Sequence, residues 1–209
     1  MFCILFLRIL RKFRTFYEKI VTFAPRNGEM SKPNLLLRYA NVSKKREYHI
    51  YKMKILLLVI GKTTESYFSD AIKEYGERMK HYIPFDMEVI PELKNTKNLS
   101  FDQQKEKEAD LIFKSLQPGD YMVLLDERGK EYTSLQFAAY LERKMHVVPK
   151  RLVFIIGGPY GFSSRVYDAA SEKISLSKMT FSHQMIRMIF VEQLYRAMTI
   201  LNNEPYHHE

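Results

Sequence analysis

The sequence is short of cysteine: Cys3 is the only one in 209 residues. No disulfide can form within the chain, and from residue 53 onward thiol catalysis and cysteine-ligated zinc are excluded. Long apolar runs are missing as well. The opening MFCILFLRILRKFR holds seven apolar residues before Arg8, against the roughly 20 needed to cross a bilayer. It also lacks the order and small-residue cleavage site of a secretory signal, so the expected location is cytoplasmic. Nor is charge in excess where it would count. The chain carries +9, a balance that points to nucleic acid or anionic membranes. Residues 1–52 account for all of it, with 12 Lys and Arg against 3 Asp and Glu, while residues 53–209 hold 21 of each. Any RNA contact within 53–209 must therefore come from local clusters.

What is present divides at the same point. Residues 1–52 read as a basic N-terminal extension, either disordered or translated from upstream of the true start, with Met53 opening the domain. Phe2–Ala24 has the pattern of a basic amphipathic helix that could lie on a membrane surface, although a membrane partner is not expected. From Met53 the pattern alternates. Lys54–Ile60 is an apolar run suited to a strand buried on both faces. Thr64–Tyr82 has helical spacing, and Phe85–Ile90 alternates as a strand. Ser100–Leu116 reads as a helix with Ser100 as cap, followed by a strand at Asp120–Asp126 and a turn at Arg128-Gly129-Lys130. A helix over Thr133–Met145 precedes strands at Leu152–Ile156 and Ile174–Leu176, and a last helix runs from Ser182 to about Asn203. With helices between strands and no Asn-Gly hairpin signals after residue 53, the expected class is α/β: a mainly parallel sheet of five strands, six at most, with helices on both faces.

The motifs narrow the chemistry. Gly61-Lys62-Thr63 lacks the glycine that a phosphate-binding loop needs five positions earlier, where Leu56 stands. Gly157-Gly158-Pro159-Tyr160-Gly161 follows a strand, where glycines permit a sharp bend and close approach by a ligand. Paired with the Leu176–Phe181 segment after the next strand, it makes a candidate pocket. Leu125, Ile156, Leu176 and Met179 could wall a slot for an adenine ring or be plain core. His183 and Arg187 share one face at the start of the last helix, and His183 is either a cap or a site residue. Arg187 and Arg196 could pair with Glu192 or hold phosphates. The last helix is apolar beyond one stripe, which fits either a two-fold subunit interface or a central core helix. The tail Tyr206-His207-His208 offers an aromatic surface beside groups that titrate near neutral pH. No metal-ligand spacing occurs.

VFIIGGPYG, SLSKMTFSHQMIR, VEQLYRA and the terminal PYHHE, in this order, together with the opening MKILLLVIGK, resemble the pseudouridine N3-methyltransferases of the ribosomal large subunit, member H of the SPOUT superfamily. The resemblance spans 53–209. It implies a trefoil-knotted α/β domain, which no periodicity reveals, and a homodimer. It also implies methylation of a pseudouridine N3 in helix 69 of 23S rRNA on assembled ribosomes, with S-adenosylmethionine as cofactor. By the same resemblance the methyl donor is held by Leu125, Gly157, Leu176, Ser177, Lys178, Met179, Thr180 and Phe181. The family's PHxxxR element stands here as Ser182-His183-Gln184-Met185-Ile186-Arg187, with Ser for Pro. Arg187, Arg196 and His208 are the expected RNA contacts, and His208 stands where some relatives have Arg. Tyr206 and His207 match the family tail.

A sulfonium methyl group needs no metal. The acceptor N3 must lose a proton, for which His207, then His183, is the candidate base beside Tyr206. Three competitors stand against this reading: a non-catalytic nucleotide-binding module, a membrane-surface protein that works through residues 1–52, and a SPOUT enzyme acting on tRNA.

Overall fold

A computed structural model of the protein describes residues 53–208. The 1–52 extension, with the basic helix expected over Phe2–Ala24, lies outside the described residues.

The chain runs β1 (Lys54–Ile60), α1 (Ser66–Met79), β2 (Phe85–Ile90), α2 (Phe101–Ser115), β3 (Tyr121–Glu131), α3 (Ser134–Val147), β4 (Arg151–Ile156), α4 (Ser164–Ala169), β5 (Glu172–Ser175) and α5 (His183–Leu201). The five strands form one sheet in the order β2-β1-β4-β3-β5, and every ladder is parallel. The expected α/β class is what the chain adopts.

The run KILLLVI is apolar at nearly every position because β1 is an interior strand of this sheet, between β2 and β4, and is covered on both faces. Side chains alternate across a strand. Ile55, Leu57 and Val59, with Leu152, Phe154 and Ile156 of β4, pack beneath Ile72 and Met79 of α1, Phe137 and Leu141 of α3, and Phe190 and Leu194 of α5. Leu56, Leu58 and Ile60, with Val153 and Ile155, meet Ala109 and Ile112 of α2 and Val166 of α4 on the other face. Each such side chain contributes about 1.5–3 kcal/mol on burial. β2 is an edge strand, and the middle of its run is largely exposed.

Local signals fix the helix starts. Ser100 caps α2 in a reciprocal box with Gln103, as its position suggested, and Thr133 does the same for α3 with Gln136. Ser182 caps α5, its hydroxyl accepting from the Met185 N–H at 3.2 Å. The serine standing where the family has proline is thus a sound helix start, worth about 1 kcal/mol. α5 is a core helix flanked by α1 and α3: Phe190, Val191, Leu194, Ala197 and Met198 are all buried within the subunit. Met185 remains exposed and Ile189 partly so.

One expected turn is corrected. Arg128-Gly129-Lys130 does not end the third strand. The ladder breaks after Leu125 and resumes with Lys130 opposite Ile174 and Glu131 opposite Ser175. At Gly129 an added Cβ would lie 2.4 Å from the Ile174 carbonyl carbon, so two backbones meet where only glycine fits.

Gly129→Ala is therefore expected to cost about 3 kcal/mol, the upper end for overpacking. Gly76, inside α1, has room for a Cβ, whose nearest neighbour would be Phe85 at 3.5 Å. Gly76→Ala should stabilise by about 0.5–1 kcal/mol through helix propensity. Urea denaturation of the two variants, moving in opposite directions, checks both.

Candidate active site

The carboxyl ends of β4 and β5 and the break in β3 open onto one cavity of about 200 Å³. Its walls are Leu125–Glu127, the loop after β4, the Ser175–Phe181 segment after β5, and His183 and Ile186 at the start of α5. Parallel sheets bind ligands at this edge.

The glycine loop is a tight turn. The Gly161 N–H donates to the Gly158 carbonyl at 3.1 Å, closing a four-residue bend with Pro159 and Tyr160 at its tip. Proline suits the second position of such a turn, and Gly161 adopts φ of 77°, where a side chain would be strained. Gly157 sits so close to Phe162 that a Cβ would meet the ring at 3.1 Å. Behind Gly158 stands Glu108 of α2, 3 % exposed, one oxygen accepting from the Gln104 amide at 3.0 Å. Burial pushes the Glu108 carboxyl above its ordinary range.

The segment after β5 is held by its own hydroxyls. Ser175 Oγ donates to the Ser177 carbonyl at 2.9 Å, and Ser177 Oγ accepts from the Met179 N–H at 2.9 Å. Asp126 is fixed at the β3 break by the Arg128 N–H (2.9 Å) and the Tyr167 hydroxyl (2.6 Å). Burial, then that bond, pushes the Tyr167 hydroxyl up to about 12.

Of the expected donor-binding residues, Leu125, Gly157, Leu176, Ser177, Met179, Thr180 and Phe181 line the cavity. Lys178 does not; it is 87 % exposed and pairs weakly with Glu131 at 3.8 Å. His183 does line it. Asp126 and Glu127 line it too, and sequence reading missed them: two carboxylates just past an apolar strand were their only signal. Neither Lys nor Arg is among the lining residues.

The remaining expected site residues lie elsewhere. Arg187 is corrected as an RNA contact, because it is 0 % exposed. Its guanidinium donates to the carbonyls of Ile60 (2.6 Å) and Gly61 (2.9 Å) and to the Thr63 hydroxyl (3.0 Å), tying α5 to the end of β1. Burial lowers its pKa from the ordinary arginine value. Arg196 donates to Glu192 at 2.5 Å and lies over the Tyr206 ring at 4.7 Å. Tyr206 donates to Glu192 at 3.1 Å and packs edge-on against Tyr195. The Tyr206 hydroxyl thus reaches back to Glu192, midway along the 19-residue α5, and none of Tyr206, His207 and His208 lines the cavity. Within one subunit the structure does not bring them to the cavity.

Among the described residues no group of three or more His, Cys, Asp or Glu could hold a metal, and no helix is long and apolar enough to cross a membrane.

The family described as "Predicted SPOUT methyltransferase" matches residues 53–207. A protein of Parabacteroides distasonis named "Ribosomal RNA large subunit methyltransferase H" is 76 % identical over 157 residues, 75 % of this chain and 100 % of the relative. Its namesake from Phocaeicola vulgatus is 73 % identical over the same shares. Among solved structures, a probable methyltransferase from Bordetella pertussis Tohama I aligns with TM-score 0.46 at 10 % identity, over 74 % of this chain and 99 % of its own. That match is too slight to carry weight.

Arg187→Met would leave two main-chain carbonyls at the end of β1 without their donor. The expected loss is about 2–4 kcal/mol in urea denaturation. Where the variant stays folded, the salt dependence of RNA binding should keep its wild-type slope; a lost phosphate contact would lower the slope by about one.

Proposed function

We propose, from the premise that the chain belongs to the SPOUT methyltransferase family, that it methylates N3 of a pseudouridine in helix 69 of 23S ribosomal RNA. The chain is a methyltransferase. The relatives' shared name supports large-subunit ribosomal RNA as the acceptor, and the resemblance in the motifs supports the nucleotide and S-adenosylmethionine as donor.

The observation that carries the reading is the character of the cavity: two carboxylates, no Lys or Arg, apolar walls and a glycine turn. A nucleotide bearing phosphates would want cations or a nest of N–H groups. S-adenosylmethionine carries a sulfonium and an ammonium against one carboxylate, so Asp126 and Glu127 offset its net positive charge. Leu125, Ile156 and Leu176 suit its adenine, and Gly157 and Gly158 allow close approach to the main chain. Ser177, Met179, Thr180 and Phe181 complete the wall, with Lys178 outside it. When bound, the donor supplies a methyl group already activated on sulfur, without need of a metal. The protein's share is alignment, worth roughly 7–11 kcal/mol at the favourable limit, and acceptance of the N3 proton, typically about 10²–10⁴-fold.

We assign the proton to an imidazole nitrogen of His207, with His183 as second candidate. His183 lies at the cavity, whereas His207 and Tyr206 are not among its lining residues in their own subunit. A homodimer resolves this. If two α5 helices pack antiparallel through Met185 and Ile189, each tail comes to its partner's cavity. Arg196 and His208 travel with the tail as contacts for RNA. The even charge of 53–209 leaves recognition to this composite surface and to the assembled ribosome, a substrate that agrees with a cytoplasmic enzyme. Residues 1–52 stand outside the matched family region as a separate extension.

Mixed dimers test the arrangement. His207→Ala alone is expected to lower kcat about 10²-fold or more without weakening donor binding, and Gly157→Val alone to lose the donor. Co-expressed, the two should regain up to half of the wild-type activity in dimers carrying one of each. No recovery would contradict the shared site, and full turnover by His207→Ala would move the base to His183.

A further inference from the structure

We infer that Phe101 and Tyr160 form a stacking platform for an unpaired nucleobase of the RNA, beside the base that enters the cavity. The inference rests on the ribosomal RNA methyltransferase reading.

The two rings are far apart in sequence and meet at 4.2 Å between centroids, nearly parallel at 27°. Both are in water: Phe101 is 64 % and Tyr160 44 % exposed. Large apolar rings stacked together in solvent gain little for the fold, since each still leaves surface uncovered. Their placement explains them better. Tyr160 is at the tip of the turn whose Gly157, Gly158 and Gly161 line the cavity. Phe101 is the first residue of α2, held by the Ser100–Gln103 capping box.

The platform is built to keep its shape. Phe101, Gln104 and Glu108 follow one face of α2 at helical spacing, and this face carries the turn: a Cβ on Gly158 would lie 2.7 Å from Glu108 Oε2. Gln104 holds the other Glu108 oxygen at 3.0 Å. The turn is thus seated on α2, and the Tyr160 ring lies over Phe101 before any RNA arrives. Proline at 159 further limits the turn's freedom.

A base that is to be methylated at a Watson–Crick nitrogen must leave its stack, and its neighbours in a single-stranded loop lose stacking partners. A rigid aromatic pair on the turn whose glycines line the cavity replaces that partner. Such stacking is indifferent to base identity and is worth about 1–3 kcal/mol per base, or roughly 5- to 150-fold in affinity. It also requires no positive charge, which suits a domain whose charges balance.

The test is steady-state methylation of ribosomes lacking the modification by the full chain, alongside S-adenosylmethionine titration and sedimentation. Phe101→Ala and Tyr160→Ala are expected to raise the ribosome KM about 5-fold or more, with kcat, donor affinity and oligomeric state unchanged. Tyr160→Phe should keep the wild-type KM, because the ring and not the hydroxyl does the stacking. Wild-type KM in both alanine variants would overturn the platform, as would a Tyr160→Phe variant as impaired as Tyr160→Ala. Altered sedimentation would assign the rings to contact between copies of the chain instead. If the wild-type protein neither bound the donor nor methylated ribosomes, the functional reading and the platform would fall together; an active wild type with unaffected variants would sink the platform alone.

Discussion

The structure depends on one close approach of main chain to main chain, that of Gly129 in β3 to Ile174 in β5. β4 lies between β1 and β3, so the chain leaving β4 must pass to the far side of β3 before β5 can pair there. The β3 ladder breaks after Leu125 and resumes at Lys130, both residues opposite Ile174. Residues 126–129 therefore bulge out of the ladder register within β3, and β5 reaches its place only because position 129, pressed against Ile174, has no side chain. From this follow the position of the Ser175–Phe181 segment beside Leu125 and Gly157, and with it the cavity.

The cavity is assembled from short-range devices on that long-range frame. Hydroxyls of Ser175 and Ser177 brace one wall, a proline-bearing turn forms the second, and Asp126, locked by Tyr167 and the Arg128 N–H, forms the third. Arg187 has the longest reach. From the second turn of α5 it satisfies the carbonyls that end β1, while Gln184, one turn earlier, accepts from the Thr64 N–H at 2.9 Å. The start of α5, with His183 at the cavity, is thereby fixed to the sheet. A buried cation is costly unless its donors are satisfied; here the two terminal nitrogens bond the strand-end carbonyls and Thr63, while the buried Nε has no hydrogen-bond partner among the described residues.

Much of the fold was legible in the sequence. β1 and β4 announce themselves as apolar runs because both of their faces are covered. Ser100 starts α2 by local chemistry. What escaped was long-range. Arg128-Gly129-Lys130 reads as a turn because glycine among charges usually is one, and only the partner strand reveals that the ladder resumes. Thr133 and Gln136 carry the same capping signal as Ser100 and Gln103 and went unread. Arg187 looks like a surface cation because nothing local reports that two carbonyls of β1, more than 120 residues away, lie beside it. The Leu176–Phe181 segment, in contrast, was visible through its family motif, and five of its six residues, with Leu125 of β3 and Gly157 after β4, line the cavity.

The separation of tail and cavity has the same character. No sequence pattern says that Tyr206 folds back on Tyr195 and Glu192, away from the residues that line the pocket. The platform of Phe101 and Tyr160 is likewise a product of tertiary placement: a residue after a helix cap and a residue at a turn tip, each unremarked alone.

The central claim is that the ends of β3, β4 and β5 enclose an adenosyl sulfonium. Calorimetric titration of the full chain with S-adenosylmethionine tests it most directly. One donor should bind per chain, and binding should vanish in Gly157→Val, shown by urea denaturation to remain folded. Absence of binding to the wild-type chain, or undiminished binding to Gly157→Val, would contradict the account.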